Sequence, residues 1–164
     1  MKRFVKLLLG IMTLTAVMMG AAQPTDGGTL RFGLLSEPAS LDPHVYSGDQ
    51  TMVVKQVIYS TLVRFSDEGG VFVGDLATSW EALDPETFVF HLHPDAVFHN
   101  GDPVTAEDVR FSFERIIAPG STATRHRDFQ IISAIETPSD HEIVFHLSEP
   151  SAAFLGYIAR PESA

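Results

Sequence analysis

Residues 74–116 read GDLATSWEALDPETFVFHLHPDAVFHNGDPVTAEDVRFSFERI, and they decide the fold. Within them Thr87–His93 (TFVFHLH) alternates strictly. Phe88, Phe90 and Leu92 fall on one face, Val89, His91 and His93 on the other, which predicts a strand. Thr105–Ile117 follows a different period. Val109, Phe113 and Ile116 recur at i, i+4 and i+7, so this piece is a helix with one apolar side. Thr105 stands three residues before Asp108, the spacing of a capping box with Asp in place of Glu or Gln. Pro119-Gly120 ends the helix. Gly101 is expected to turn the chain so that Thr105 reaches the cap. Trp80, Phe90, Leu92, Phe98, Phe111 and Phe113 are expected to share one core between a sheet and this helix. Burial of each such side chain contributes about 1.5–3 kcal/mol.

Downstream, Glu142–Leu147 (EIVFHL) alternates in the same way, and IVFHL at 143–147 nearly repeats FVFHL at 88–92. The segments between them differ, so two strands of one sheet explain the likeness better than a duplicated unit. Ile131–Glu136 predicts a further strand, Pro138–Asp140 a turn, and Pro150–Ile158 the start of a helix. Upstream, Arg64-Phe65 and Val71–Val73 flank Ser66–Gly70, a hairpin signal. Asp49–Val63 carries Val54, Val57, Ile58, Thr61 and Leu62 on one helical stripe, with Ser47 or Asp49 placed to cap it. Ser36–His44 holds two prolines and reads as a loop. Thr29–Leu35 (TLRFGLL) reads as a strand.

The chain has 164 residues, Lys+Arg 11, Asp+Glu 21 and no cysteine. This length suits about one domain or part of a larger one. Residues 1–22 have the three-part layout of a secretory signal peptide: Lys2, Arg3 and Lys6, then a short apolar run from Leu7 to Met19, then Gly20-Ala21-Ala22. Its removal leaves 8 basic and 21 acidic side chains, a net charge of −13. An acidic chain without clustered Lys and Arg is not expected to bind nucleic acid. Without Cys there is no disulfide, thiol nucleophile or lipid anchor on an N-terminal Cys. The expectation is an exported, non-lipidated, periplasmic protein.

Chemistry has few footholds. His91 and His93 share a strand face and, with His146 from a neighbouring strand, offer a metal-ligand set; the bland reading is a solvated sheet face. There is no Gly-x-Ser-x-Gly elbow, no His-Glu-x-x-His spacing and no Gly-rich phosphate loop. The acid pairs Asp84/Glu86 and Glu107/Asp108 fit a turn and a helix first turn. The residues point away from an enzyme, and no cofactor is expected.

The same stretch is similar to the signature of the family 5 extracellular solute-binding proteins, which serve ABC importers. Leu76-Ala77, Ser79-Trp80-Glu81, Phe90-His91-Leu92, Val97–Gly101, Pro103 and Thr105–Val109 stand in the family's order. Ser40-Leu41-Asp42-Pro43-His44 resembles its Ser-Leu-Asp-Pro element. His93 departs from the usual Arg or Lys. The resemblance implies an α+β, mixed α/β fold: the N-terminal part of lobe I of a two-lobed periplasmic binding protein, type II-like, cluster C. It implies residues 23–44 as the N-terminal strand and loop of lobe I, and 45–164 as an inserted small subdomain. It implies capture of peptides, or of nickel, haem or a sugar, by a monomer that delivers its solute to a membrane permease. Tyr46, Ser47, Gly48 and Asp49 would line the lobe I side of the cleft. Asp49 would meet a peptide ammonium; helix capping is the equal alternative for Ser47 and Asp49. Residues that recognise peptide ends are expected beyond position 164, so that this chain alone binds peptide poorly. A non-binding fragment and an exported His-dependent metal protein or hydrolase stay open as other readings.

Overall fold

The computed structural model describes residues 28–46 and 48–164. The expected signal peptide lies outside the described residues. The chain divides into two units, Met1–Gly33 and Leu34–Ala164. In the first, Gly28–Gly33 takes no regular secondary structure. The strand expected over Thr29–Leu35 is therefore not formed. A strand is held by ladder hydrogen bonds, and no ladder among the described residues includes this segment.

The second unit is built on a four-stranded antiparallel sheet in the order β3-β4-β6-β5. Its strands are β3 (Ala77–Asp84), β4 (Thr87–Leu92), β5 (Ile132–Ser139) and β6 (Glu142–Leu147). The two near-identical segments are the central neighbours, with Phe88 opposite Phe145, Val89 opposite Val144 and Phe90 opposite Ile143. Phe88, Phe90 and Leu92 join Ile143, Phe145 and Leu147 on one buried face. Val89 and Val144 are also buried, so the other face is not wholly wet.

Helix α2 (Ala106–Ile117) packs on β5 and β6. Its buried residues are Ala106, Val109, Phe113 and Ile116, the stripe its period predicts. The Asp108 carboxylate accepts the Thr105 backbone N–H at 2.8 Å and hydroxyl at 2.7 Å, completing the cap. Gly101 has φ +92° and donates to the Phe98 carbonyl at 2.9 Å, which turns the chain ahead of that cap. Phe145 is the hub of the core. Its ring lies 4.8 Å from Phe113, 5.7 Å from Phe90 and 5.6 Å from Phe154, all edge to face, the arrangement that ring quadrupoles favour. Two short helices, α3 (His126–Phe129) and α4 (Phe154–Ile158), each add a buried Phe to this cluster.

The structure differs from the sequence reading at four points. First, it adds a strand that no pattern announced: β3 carries no alternation because a register shift between Ala77 and Ser79 breaks it, and most of the strand is exposed. Second, β5 continues through Pro138, which an edge strand tolerates because one side of its backbone needs no ladder partner. Third, Phe98 and Phe111 lie at the surface rather than in the core. Phe111 is two residues from Val109, about 200° around the helix, so it cannot share that buried side.

The fourth concerns the first helix. Helix α1 runs Asp49–Ile58 and stops short of Val63. The carbonyls of Thr61 and Leu62 instead accept the N–H groups of Leu76, Asp75 and Ala77. Val63 opens β1 (Val63–Phe65), which pairs with β2 (Phe72–Gly74) in the expected hairpin. Gly69 and Gly70, at φ +75° and +74°, make its turn. The buried residues of α1 are Thr51 and Lys55, while Val57 is exposed.

Candidate functional site

The Ser-Leu-Asp-Pro-His loop has no ladder or helix to satisfy its backbone, so side chains do so. The Ser40 hydroxyl accepts the Asp42 N–H at 3.0 Å, and the Asp42 carboxylate accepts the His44 N–H at 3.0 Å. Arg115, from α2, grips Asp42 through both terminal guanidinium nitrogens, Nη1 and Nη2. This bond holds the Asp42 carboxyl below the usual carboxylate range and raises the Arg115 guanidinium. Arg115 also lies 3.1 Å from His44 Nδ1. A guanidinium can only donate, so Nδ1 accepts and the imidazole proton sits on Nε2. That nitrogen donates to the Ala164 carbonyl at 2.8 Å. Burial pushes the His44 pKa down, consistent with a neutral ring.

Helix α1 faces the same loop with polar groups. The Thr51 hydroxyl accepts the Ala39 N–H at 3.1 Å, and the Tyr59 hydroxyl donates to the Leu41 carbonyl at 2.8 Å. The Lys55 ammonium donates to the Pro43 carbonyl at 2.7 Å and to the Tyr46 carbonyl. Lys55 is 0% exposed, and its burial lowers its pKa.

The predicted ligand segment follows directly. Tyr46 and Asp49 are both exposed. Ser47 lies outside the described residues. Gly48 caps α1 through its own backbone, its carbonyl accepting the Met52 N–H at 2.9 Å. Among the described residues no side chain makes a capping hydrogen bond there, and Asp49 stands in the first turn without serving as the cap. Gly48 has an ordinary extended backbone, φ −71° and ψ 149°. A Cβ there would meet Tyr46 Cε1, the far end of an exposed side chain that can turn aside. The close approach is that of the Tyr46 ring.

A cleft of about 490 Å³ opens beside the loop, lined by Tyr59, Val97, Phe98, Phe111, Arg115 and neighbours. Pro43 and His44 border it, but Tyr46, Gly48 and Asp49 do not. The residues that fix the loop (His44, Lys55, Tyr59 and Arg115) escape a search by hydrophobic period. Their one trace in the sequence is a lysine placed among β-branched residues on a predicted amphipathic helix.

The histidine set is not assembled. His91 faces Glu142 at 3.6 Å and His146 faces Glu136 at 3.3 Å. His146 lies opposite Thr87, four residues from His91 along β4, a separation of about 13 Å at strand rise. His93 lies past the end of β4 and accepts the Asp95 N–H at 3.1 Å. Among the described residues no group of three or more His, Asp or Glu is placed to hold a metal.

Comparison with known proteins follows the same outline. A probable D,D-dipeptide-binding periplasmic protein, DdpA of Escherichia coli K12, is 38% identical over 146 residues, covering 85% of this chain and 27% of its own. The structure of AgaA in complex with agropinic acid, from A. tumefaciens R10, matches with a TM-score of 0.74 at 40% identity, covering 77% of this chain and 26% of that one. Haemophilus influenzae OppA in complex with RPPGFSPFR matches with a TM-score of 0.70 at 27% identity, covering 78% and 28%. The chain thus spans about a quarter of the length of these relatives. Its mixed α and β content is that of part of one lobe in a two-lobed periplasmic binding protein. Residues 71–164 match the model for bacterial extracellular solute-binding proteins, family 5, and the chain belongs to that family.

Proposed function

We propose that this chain is part of the extracytoplasmic solute-binding component of an ABC importer, which captures peptides and presents them to a membrane permease. It works as an exported, non-lipidated periplasmic monomer, without a catalytic step. Tyr46, Ser47, Gly48 and Asp49 contribute the lobe I side of its cleft. The observation that carries this reading is the segment itself: an accessible aromatic ring and a carboxylate free of capping duty, presented from a loop that side chains lock in place. Lobe closure on a ligand needs such a pre-set surface. The dipeptide and oligopeptide binding named for DdpA and OppA supports peptide as solute. A second reading is agropinic acid or a similar solute, favoured by the structural match to AgaA in complex with agropinic acid.

Calorimetry on the purified protein at its full natural length, with a dipeptide, a tripeptide and agropinic acid, tests this. Peptide binding is expected, weakened about tenfold or more by Asp49→Asn, as for a lost charge-assisted bond. Binding of agropinic acid alone would favour the second reading. Peptide affinity indifferent to Asp49→Asn would remove that residue from the site.

A further inference from the structure

Lys55 is an unusual occupant of a helix's inner side. Its side chain is entirely buried, whereas Val57, on the same helix, is exposed. Burying an ammonium is costly unless hydrogen bonds replace its water. Here the replacements are two backbone carbonyls, Pro43 and Tyr46, that bracket the turn into the ligand segment. Neither carbonyl belongs to a helix or ladder, so each depends on a donor of this kind. The charge is balanced by Glu162, 3% exposed, and by Asp42, both of which raise the Lys55 pKa against the effect of burial. Arg125 meets that carboxylate at 3.6 Å. With the Tyr46 carbonyl drawn inward, the Tyr46 ring lies exposed over Gly48, whose carbonyl starts α1. Being fully buried, Lys55 has no route to touch a solute itself.

We infer that Lys55 is a positioning residue for solute binding, its ammonium clamping the Pro43 and Tyr46 carbonyls so that Tyr46, Gly48 and Asp49 are presented in one fixed arrangement. The inference rests on the proposed role of that segment. If the clamp pre-organises the site, loosening it lowers the competent fraction, and apparent affinity falls in proportion.

The test compares Lys55→Met with the unaltered full-length protein, reading tripeptide affinity by calorimetry and amide exchange over residues 44–50 by mass spectrometry. Ile143→Ala, in the sheet core and outside the cleft that Pro43 and His44 border, controls for general loss of stability. Lys55→Met is expected to weaken tripeptide binding at least tenfold and to speed exchange over 44–50 at least tenfold. Ile143→Ala should lower the melting temperature and leave both readouts within twofold. A folded Lys55→Met protein with unchanged affinity and exchange would overturn the inference, as would an equal change in Ile143→Ala. If the unaltered protein binds no tripeptide, the proposed function fails; the exchange readout then decides the clamp separately. If Lys55→Met does not fold, the unaltered protein decides by nitrogen NMR. A protected Lys55 ammonium coupled to the Pro43 and Tyr46 carbonyls supports the clamp, and one exchanging at the solvent rate refutes it.

Discussion

The sheet with α2 and the loop with α1 are held by different physics. From Ala77 to Leu147, order comes from apolar burial: Phe90, Phe113, Phe129, Ile143 and Phe145 are almost fully enclosed. From Leu34 to Ile58, the inner side of the helix is Thr51 and Lys55, and the contacts are hydrogen bonds to loop backbone. Apolar packing is insensitive to pH and tolerates volume-conserving change. A polar staple is directional, and a single lost donor leaves a buried carbonyl unsatisfied. The first region suits a scaffold. The second suits a surface that must hold one shape.

The sharpest break in this comparison comes from the core. Phe145→Ala removes the ring that touches Phe90, Phe113 and Phe154. It is expected to cost about 3–5 kcal/mol, read as a fall in the urea midpoint. A loss below about 1 kcal/mol would mean that Phe145 is no hub.

An intermediate effect is expected from pH on the loop. Burial lowers the His44 pKa, so the folded chain resists protonation there. Above about pH 6.5, the ordinary histidine value, both states are neutral at this site and stability does not change with pH. Below it the unfolded chain gains a proton first, and stability falls. Protonation also places a proton on Nδ1 against Arg115, with Asp42 and Lys55 the other charges acting on the ring. Asp42 behaves differently. Its lowered pKa gives a contribution complete above about pH 4 and lost as pH falls through the depressed value. Between pH 6.5 and 5 the loss is therefore that of His44. Amide protection over residues 40–46, corrected for the intrinsic pH dependence of exchange, should fall across that window, and His44→Gln should flatten the dependence. The same slope in His44→Gln would assign it elsewhere.

The smallest effect is expected at Phe111. Although it is a large aromatic on the best-predicted helix, it is 68% exposed. Phe111→Ser should change stability by no more than about 0.5 kcal/mol in this chain. A loss of several kcal/mol would return Phe111 to the core that its sequence neighbours suggested.

What could be read in advance follows the same division. Alternation at 87–92 and 142–147 named the two central strands, because one apolar face drives them. Val109, Phe113 and Ile116 named the buried side of α2 for the same reason. Helix α1 misled: Val54, Val57 and Ile58 suggested an apolar stripe, but its partner is a proline-rich loop that needs donors and acceptors rather than methyl groups. Strand β3 was illegible because its register shift erases the period, and the Thr29–Leu35 strand was overcalled because β propensity supplies no partner. At the candidate site, Tyr46, Gly48 and Asp49 were proposed from family resemblance, while Lys55 and Arg115 became visible only once the fold brought them to the loop.

Denaturant-dependent amide hydrogen exchange on the folded protein tests the central claim most directly. If polar staples and apolar packing hold separate regions, residues 39–58 should open at a lower free energy than β4, β6 and α2, with little dependence on denaturant, as local openings behave. A single opening free energy shared by both regions, with the full denaturant dependence of global unfolding, would contradict it.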